Sequence, residues 1–210
     1  MTVTGAFTPA IDWGVASRAL PGESATGDLH VVEPIAGGVL VGVLDALGHG
    51  GEAAATARIA AETLIRDARL PMQMLIEQCH KALIGTRGVV LSLAIFDVAQ
   101  STMTWLGVGD VEGVLVLADP EAVPKHTGLA TRGGIVGATL PSARPWVIPV
   151  SAGDTLIFTT DGIRSGSTAG LTLGGTPQQI ADLILSRGFK GTDDALVLVA
   201  RFGDERRSHK

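Results

Sequence analysis

Four aspartates recur in the same kind of place. Asp28 follows Gly27, Asp45 closes an apolar run, Asp161 follows a second apolar run and precedes Gly162, and Asp193 with Asp194 opens a third run over 195–199. Carboxylates gathered at the ends of neighbouring core strands repel one another and resist leaving water. Their convergence therefore requires protonation, basic partners or metal ions. Few basic residues lie near any of them. Oxygen-only donors, without cysteine or a histidine pair, favour hard cations, and Mg²⁺ or Mn²⁺ keeps several waters in an octahedral shell held by few carboxylates. Two such ions can share Asp45. Taken singly, each aspartate reads equally well as a turn residue, because Asp-Gly and Gly-Asp are common loop signals. Only the set carries the chemistry.

The elements that must position these acids are legible in outline. Residues 39–44 are apolar or glycine throughout, which suits a strand buried on both faces, and the run stops at Asp45-Ala46-Leu47-Gly48-His49-Gly50-Gly51. A helix is expected over 52–69, with Ala53, Ala57, Ala60, Leu64 and Ala68 on one face and Arg58, Glu62 and Arg66 on another. Pro71 is suited to open a second helix, in which Met72, Leu75, Ile76, Cys79 and Leu83 keep helical spacing until Gly85 and Gly88. The pattern then changes to short β-prone runs at 89–96, 103–108, 114–118, 146–150, 155–160 and 195–202, with earlier candidates at 13–20 and 29–35. A third helix is expected over 177–187, and the Gly-, Ser- and Thr-rich stretch 165–175 reads as a mobile loop beside Asp161. The expected fold class is α+β: a central antiparallel β-sandwich flanked by helices on both outer faces, four layers in the order α-β-β-α.

Composition narrows the function classes. A formal net charge of -5, with Lys and Arg scattered apart from Arg206, Arg207 and Lys210, speaks against nucleic acid as a partner. Cys79 is the only cysteine, so neither an intrachain disulfide framework nor a thiolate metal cage is available, and a reducing cytoplasm is the expected setting. Residues 1–10 lack a basic stretch followed by an apolar run, and no segment approaches the roughly 20 apolar residues of a membrane helix. A single domain over 1–210 with one site, monomeric and without membrane contact, is the expectation.

Five short motifs then stand in order. They are Pro21-Gly22-Glu23-Ser24-Ala25-Thr26-Gly27-Asp28, Asp45-Ala46-Leu47-Gly48-His49-Gly50, Gly107-Val108-Gly109-Asp110, Thr159-Thr160-Asp161-Gly162 and Gly191-Thr192-Asp193-Asp194-Ala195. Over nearly the whole chain the sequence resembles the protein phosphatase 2C family, in its bacterial branch of stage II sporulation phosphatase-like enzymes. The resemblance implies a binuclear Mn²⁺ or Mg²⁺ centre at the sheet edges. In it Asp45 bridges the two ions, Asp161 and Asp193 complete the protein ligands of one, Asp28 serves the second partly through water, and Ala46 contributes its backbone carbonyl. Two positions depart from the family pattern: Ala46 stands where glycine is usual, and Leu196 where Thr or Ser often follows the closing acids. A carbonyl ligand survives the change from Gly to Ala only where the local φ is negative. Asp110 reads as a third-metal ligand or as a turn residue between two strands, His49 as a general acid, a ligand or a structural residue at a helix start, and Arg18 as a phosphate contact or a solvated strand residue.

The reaction implied is hydrolysis of a phosphoserine or phosphothreonine ester by water activated between two ions, with no phospho-enzyme. Short members of this branch resemble the feedback phosphatase of the general stress pathway. That points to phosphorylated STAS-domain signalling proteins, stressosome scaffolds or anti-sigma antagonists, as partners. Two other readings remain: a catalytically weak, metal-stabilised binding module that sequesters a signalling partner, and a small-molecule phosphohydrolase on the same centre.

Overall fold

The computed structural model describes residues 11–169 and 173–203. In chain order its elements are β1 (Ile11–Arg18), β2 (Asp28–Ile35), β3 (Gly38–Ala46), α1 (Gly50–Arg66), α2 (Met72–Leu83), β4 (Val89–Asp97), β5 (Thr102–Val108), β6 (Glu112–Val116), β7 (His126–Leu129), β8 (Trp146–Pro149), β9 (Thr155–Thr159), α3 (Pro177–Gly188) and β10 (Ala195–Phe202). Every strand pairing is antiparallel. One sheet runs β1-β10-β9-β6-β7, the other β2-β3-β4-β5-β8.

Strand β3 shows why the layers form. Side chains alternate along a strand, so Leu40 and Leu44 leave one face and Val39, Val41 and Val43 the other. Both sets are buried, the leucines under α1 and α2 and the valines between the sheets. A strand with no polar side must lie inside, as this one does. Strand β10 repeats the logic: Leu196, Leu198 and Phe202 face the inter-sheet core, while Ala195, Val197 and Val199 face α3. Three apolar cores therefore separate four layers, the α-β-β-α arrangement of the α+β class.

Small residues set the helix distances. Ala53, Ala57 and Ala60 are fully buried along α1, where short side chains let its backbone approach β2 and β3. Against β1, Gly14 has no room for a side chain, since a Cβ there would lie 2.3 Å from the Gln178 backbone nitrogen in α3. The Gln178 side-chain amide bonds both the N–H and the carbonyl of Val15, occupying backbone groups of this edge strand. Thr176 begins α3 with a reciprocal capping box to Gln179, and Pro177 takes the first helical position.

The sequence-derived elements recur with shifted ends. Helix α1 stops at Arg66 instead of 69, and Pro71 caps α2 from outside it. Strand β6 lies over Glu112–Val116 instead of 114–118, because the Ala118 N–H turns to the buried Asp154 carboxylate at 2.7 Å. Strand β7 has no expected counterpart. Of the loop 165–175, residues 170–172 lie outside the described residues, as do 1–10, Arg206, Arg207 and Lys210. Among the described residues no helix is long and apolar enough to cross a membrane.

Candidate metal centre

Sheet register brings the acids together. Asp28 begins β2 and pairs in register with Asp45, one residue before the end of β3. In the other sheet β9 and β10 are antiparallel, so Thr160 and Asp161, just past the end of β9, lie beside Asp193 and Asp194, just before the start of β10. The Thr160 backbone N–H donates to the Leu196 carbonyl at 3.1 Å, and a Cβ on Gly162 would fall 1.9 Å from the Asp194 carbonyl oxygen. That contact makes glycine obligatory after Asp161.

A side-chain hydrogen bond helps to join the two sheets at this end. The Thr160 hydroxyl donates to Asp28 Oδ2 at 2.7 Å and accepts the Leu196 N–H at 2.8 Å. Because Leu196 supplies a proton to the hydroxyl oxygen, the hydroxyl's own proton goes to Asp28, and the buried carboxylate is held in one orientation. Here only the backbone of Leu196 is used. Its side chain is buried in the inter-sheet core, so the sequence departure at this position leaves the contact intact.

The other departure is equally benign in backbone terms. Ala46 is the last residue of β3 and lies outside the positive-φ region, which among the described non-glycine residues is occupied by Ser101 alone. Its N–H donates to the Gly27 carbonyl at 3.2 Å, and its methyl group is fully buried in the core beneath α1 and α2.

The electrostatics are those of crowded acids. Burial pushes the Asp28 carboxyl up to about 7; the Thr160 hydrogen bond opposes the rise, and Asp194, Asp161 and Asp193 add to it. Burial likewise raises Asp45 to about 8, with Asp28, Asp161, Asp110 and Asp193 contributing. Asp161 is more exposed and also raised, by desolvation, Asp193 and Asp110, with Lys190 acting in the opposite direction. The Lys190 ammonium donates to the Asp161 carbonyl, and the Lys190 N–H to the Gly162 carbonyl, so the Asp161 turn is gripped from the segment after α3.

Among the described residues no group of three or more His, Cys, Asp or Glu side chains forms a ready-made metal cage. An ion that retains most of its water needs only one or two direct carboxylates, and a divalent cation would offset both the burial of these charges, the larger cause of the raised pKa values, and their mutual repulsion. The donor set thus fits a hydrated hard cation. Asp110 is exposed and acts electrostatically on Asp45 and Asp161. His49 stands apart in role: its Nδ1 lies 2.8 Å from Glu23 Oε1, its side chain is 57% exposed, and it makes no side-chain cap bond at the start of α1. Arg18 lies exposed with its guanidinium 5.0 Å over the Phe189 ring.

Three contributors have no role assigned from sequence: Thr160 and Asp194, which stand inside two of the motifs, and Lys190, which stands in none. The doubled acid at 193–194 was the available signal for Asp194, since consecutive residues entering a strand face opposite ways.

Residues 36–203 match the family model of Stage II sporulation protein E (SpoIIE). No curated protein matches the chain by sequence. Among solved structures, a chain described under "The bacterial stressosome: a modular system that has been adapted to control secondary messenger signaling" is 27% identical, with a TM-score of 0.82 over 91% of this chain and 99% of that one. RsbX in complex with magnesium is 20% identical, with a TM-score of 0.81 over 92% of this chain and 96% of that one. The phosphatase domain of SpoIIE from Bacillus subtilis, solved with a fragment of its regulatory domain, is 22% identical, with a TM-score of 0.74 over 91% and 62%. The last two likenesses are of fold.

Proposed function

The chain belongs to the SpoIIE family of protein phosphatase 2C-like serine/threonine phosphatases, and from that membership we propose that it removes phosphate from phosphoserine or phosphothreonine of bacterial stress-signalling proteins, using divalent metal held by Asp28, Asp45, Asp161 and Asp193. The observation that carries the site assignment is the junction at one end of the sandwich: Asp28 in register with Asp45, and bonded to Thr160 beside Asp161. Two Mn²⁺ or Mg²⁺ ions, with the Ala46 carbonyl as a further ligand, are the proposed complement. The magnesium bound by RsbX supports that choice of ion.

When bound, divalent ions supply an activated water and offset charge on the phosphoryl oxygens. The chain's own residues do the rest. Thr160 orients Asp28 through one carboxylate oxygen, while Lys190 steadies the Asp161 turn. The register of β2 with β3 sets Asp45 opposite Asp28, where it also feels the charge of Asp161 and Asp193 from the other sheet.

The proposed substrates are phosphorylated STAS-domain proteins, either stressosome scaffolds or anti-sigma antagonists. The stressosome relative and RsbX support this choice. The test is incubation with Mn²⁺ and a panel of such phosphoproteins, with each phosphosite followed by mass spectrometry and p-nitrophenyl phosphate run in parallel. Loss of phosphate from one defined site is expected. Turnover of the small ester alone would overturn the assignment of a protein substrate, and stable binding without turnover would overturn the catalytic reading.

A further inference from the structure

The connection 19–27 between β1 and β2 is tied at both ends to a single side chain. Leu20 N–H donates to Asp194 Oδ1 and Gly27 N–H to Asp194 Oδ2, each at 2.7 Å. Asp194 is only 3% exposed. Hydrogen bonds from backbone N–H to an ionised acceptor are about twice as strong as neutral ones, and both carboxylate oxygens are engaged in this way. Within the connection, Gly22 takes φ +98° and the Glu23 N–H closes back on the Leu20 carbonyl at 2.9 Å.

What the connection holds lies on the opposite sheet. Gly27 immediately precedes Asp28, and its carbonyl accepts the Ala46 N–H beside Asp45. Gly27 has little room for a side chain, since a Cβ there would lie 2.9 Å from Ala53 Cβ and 3.1 Å from the Ala46 carbonyl oxygen. On its own strand, Asp194 N–H donates to Asp193 Oδ1 at 2.8 Å. Asp194 thus touches the supports of acids from both sheets while directing its carboxylate at the connection.

The geometry assigns Asp194 the part of a positioning residue, whose buried carboxylate clamps both ends of the 19–27 connection, fixes the start of β2 at Asp28 and so sets the affinity of the site for divalent cation. This inference rests on the metal-site reading above. It separates the two neighbouring acids by task, with Asp193 the one that would hold the metal and Asp194 holding the frame.

Asp194→Asn keeps the size of the side chain but turns one acceptor oxygen into an amide that opposes a backbone N–H. Calorimetric titration with Mn²⁺ and hydrogen exchange at the Leu20 and Gly27 amides of the metal-free proteins test the clamp together. Expected are a folded variant, at least one of the two amides exchanging about tenfold faster, an Mn²⁺ dissociation constant raised about 10- to 100-fold as for other outer-shell partners, and phosphate release restored towards wild type at saturating Mn²⁺. Unchanged Mn²⁺ affinity despite loosened amides would overturn the proposal. Weakened affinity with both amides still protected would make Asp194 a direct ligand and overturn it as well. Should Asp194→Asn fail to fold, wild type decides: slow exchange of Leu20 and Gly27 without metal supports the clamp, and fast exchange rejects it. A wild-type protein that binds no Mn²⁺ would reject the underlying metal-site reading, and with it any role for Asp194 in affinity, even if those amides proved protected.

Discussion

Thr160 ties one sheet to the other through its side chain. Its hydroxyl serves a buried carboxylate on one side and a buried N–H on the other, so Thr160→Val, of similar shape, strands both groups. A loss of about 1–3 kcal/mol in denaturant unfolding is expected, with weakened Mn²⁺ binding, whereas Thr160→Ser retains both. Equal behaviour of the two variants would contradict the part given to the hydroxyl. Ala46 invites the opposite experiment. It occupies an ordinary strand conformation and fills space in the core beneath α1 and α2, so Ala46→Gly is expected to lower stability by roughly 0.5–1 kcal/mol without raising turnover. A large gain in activity would show that this alanine impairs the site. At this scale the four aspartates were legible because each stands where a strand-like run begins or ends, and the structure brings those edges to one place. Thr160 and Asp194 were not, because their partners, Asp28, Leu20 and Gly27, lie more than a hundred residues away in sequence.

Elements carry the acids only while their ends stay close. Gly162 lets the turn after β9 lie directly on the Asp194 carbonyl, so Gly162→Ala is expected to cost several kcal/mol, read as a large fall in melting temperature, because any Cβ at 1.9 Å forces the two segments apart. A melting temperature unchanged by that substitution would contradict the close approach. Strongly periodic elements were legible from sequence, including β3, α1, α2 and β10, since their side-chain alternation or helical face records what they pack against. Strand β7 was not: His126-Thr127-Gly128-Leu129 buries little beyond Leu129 and owes its strand form to pairing with β6. Ends also moved where a side chain outcompeted the ladder, as Asp154 does at Ala118.

For the molecule as a whole, the acids gathered at the sandwich end oppose folding in their charged state unless a cation is present. The carboxyls of Asp28 and Asp45 rise from 3.8 to about 7 and about 8. A group whose pKa is raised on folding favours the folded state below its unfolded pKa and loses that advantage as pH rises through the folded value. Metal-free protein is therefore expected to lose stability between about pH 4 and pH 8, measured by denaturant unfolding, and Mn²⁺ to flatten the decline because it binds the deprotonated carboxylates. Metal-free stability that rises across this interval would contradict the crowding of acids described here.

The central claim is that these carboxylates hold the metal on which phosphoester hydrolysis depends, and Asp45, in register with Asp28 and within reach of the acids of the other sheet, bears most of it. The most direct measurement compares wild type and Asp45→Asn for Mn²⁺-dependent phosphate release from a phosphorylated STAS-domain protein, with circular dichroism to verify the fold. The expected result is a loss of about 10³-fold or more in rate with the fold intact. Undiminished turnover by folded Asp45→Asn would contradict it.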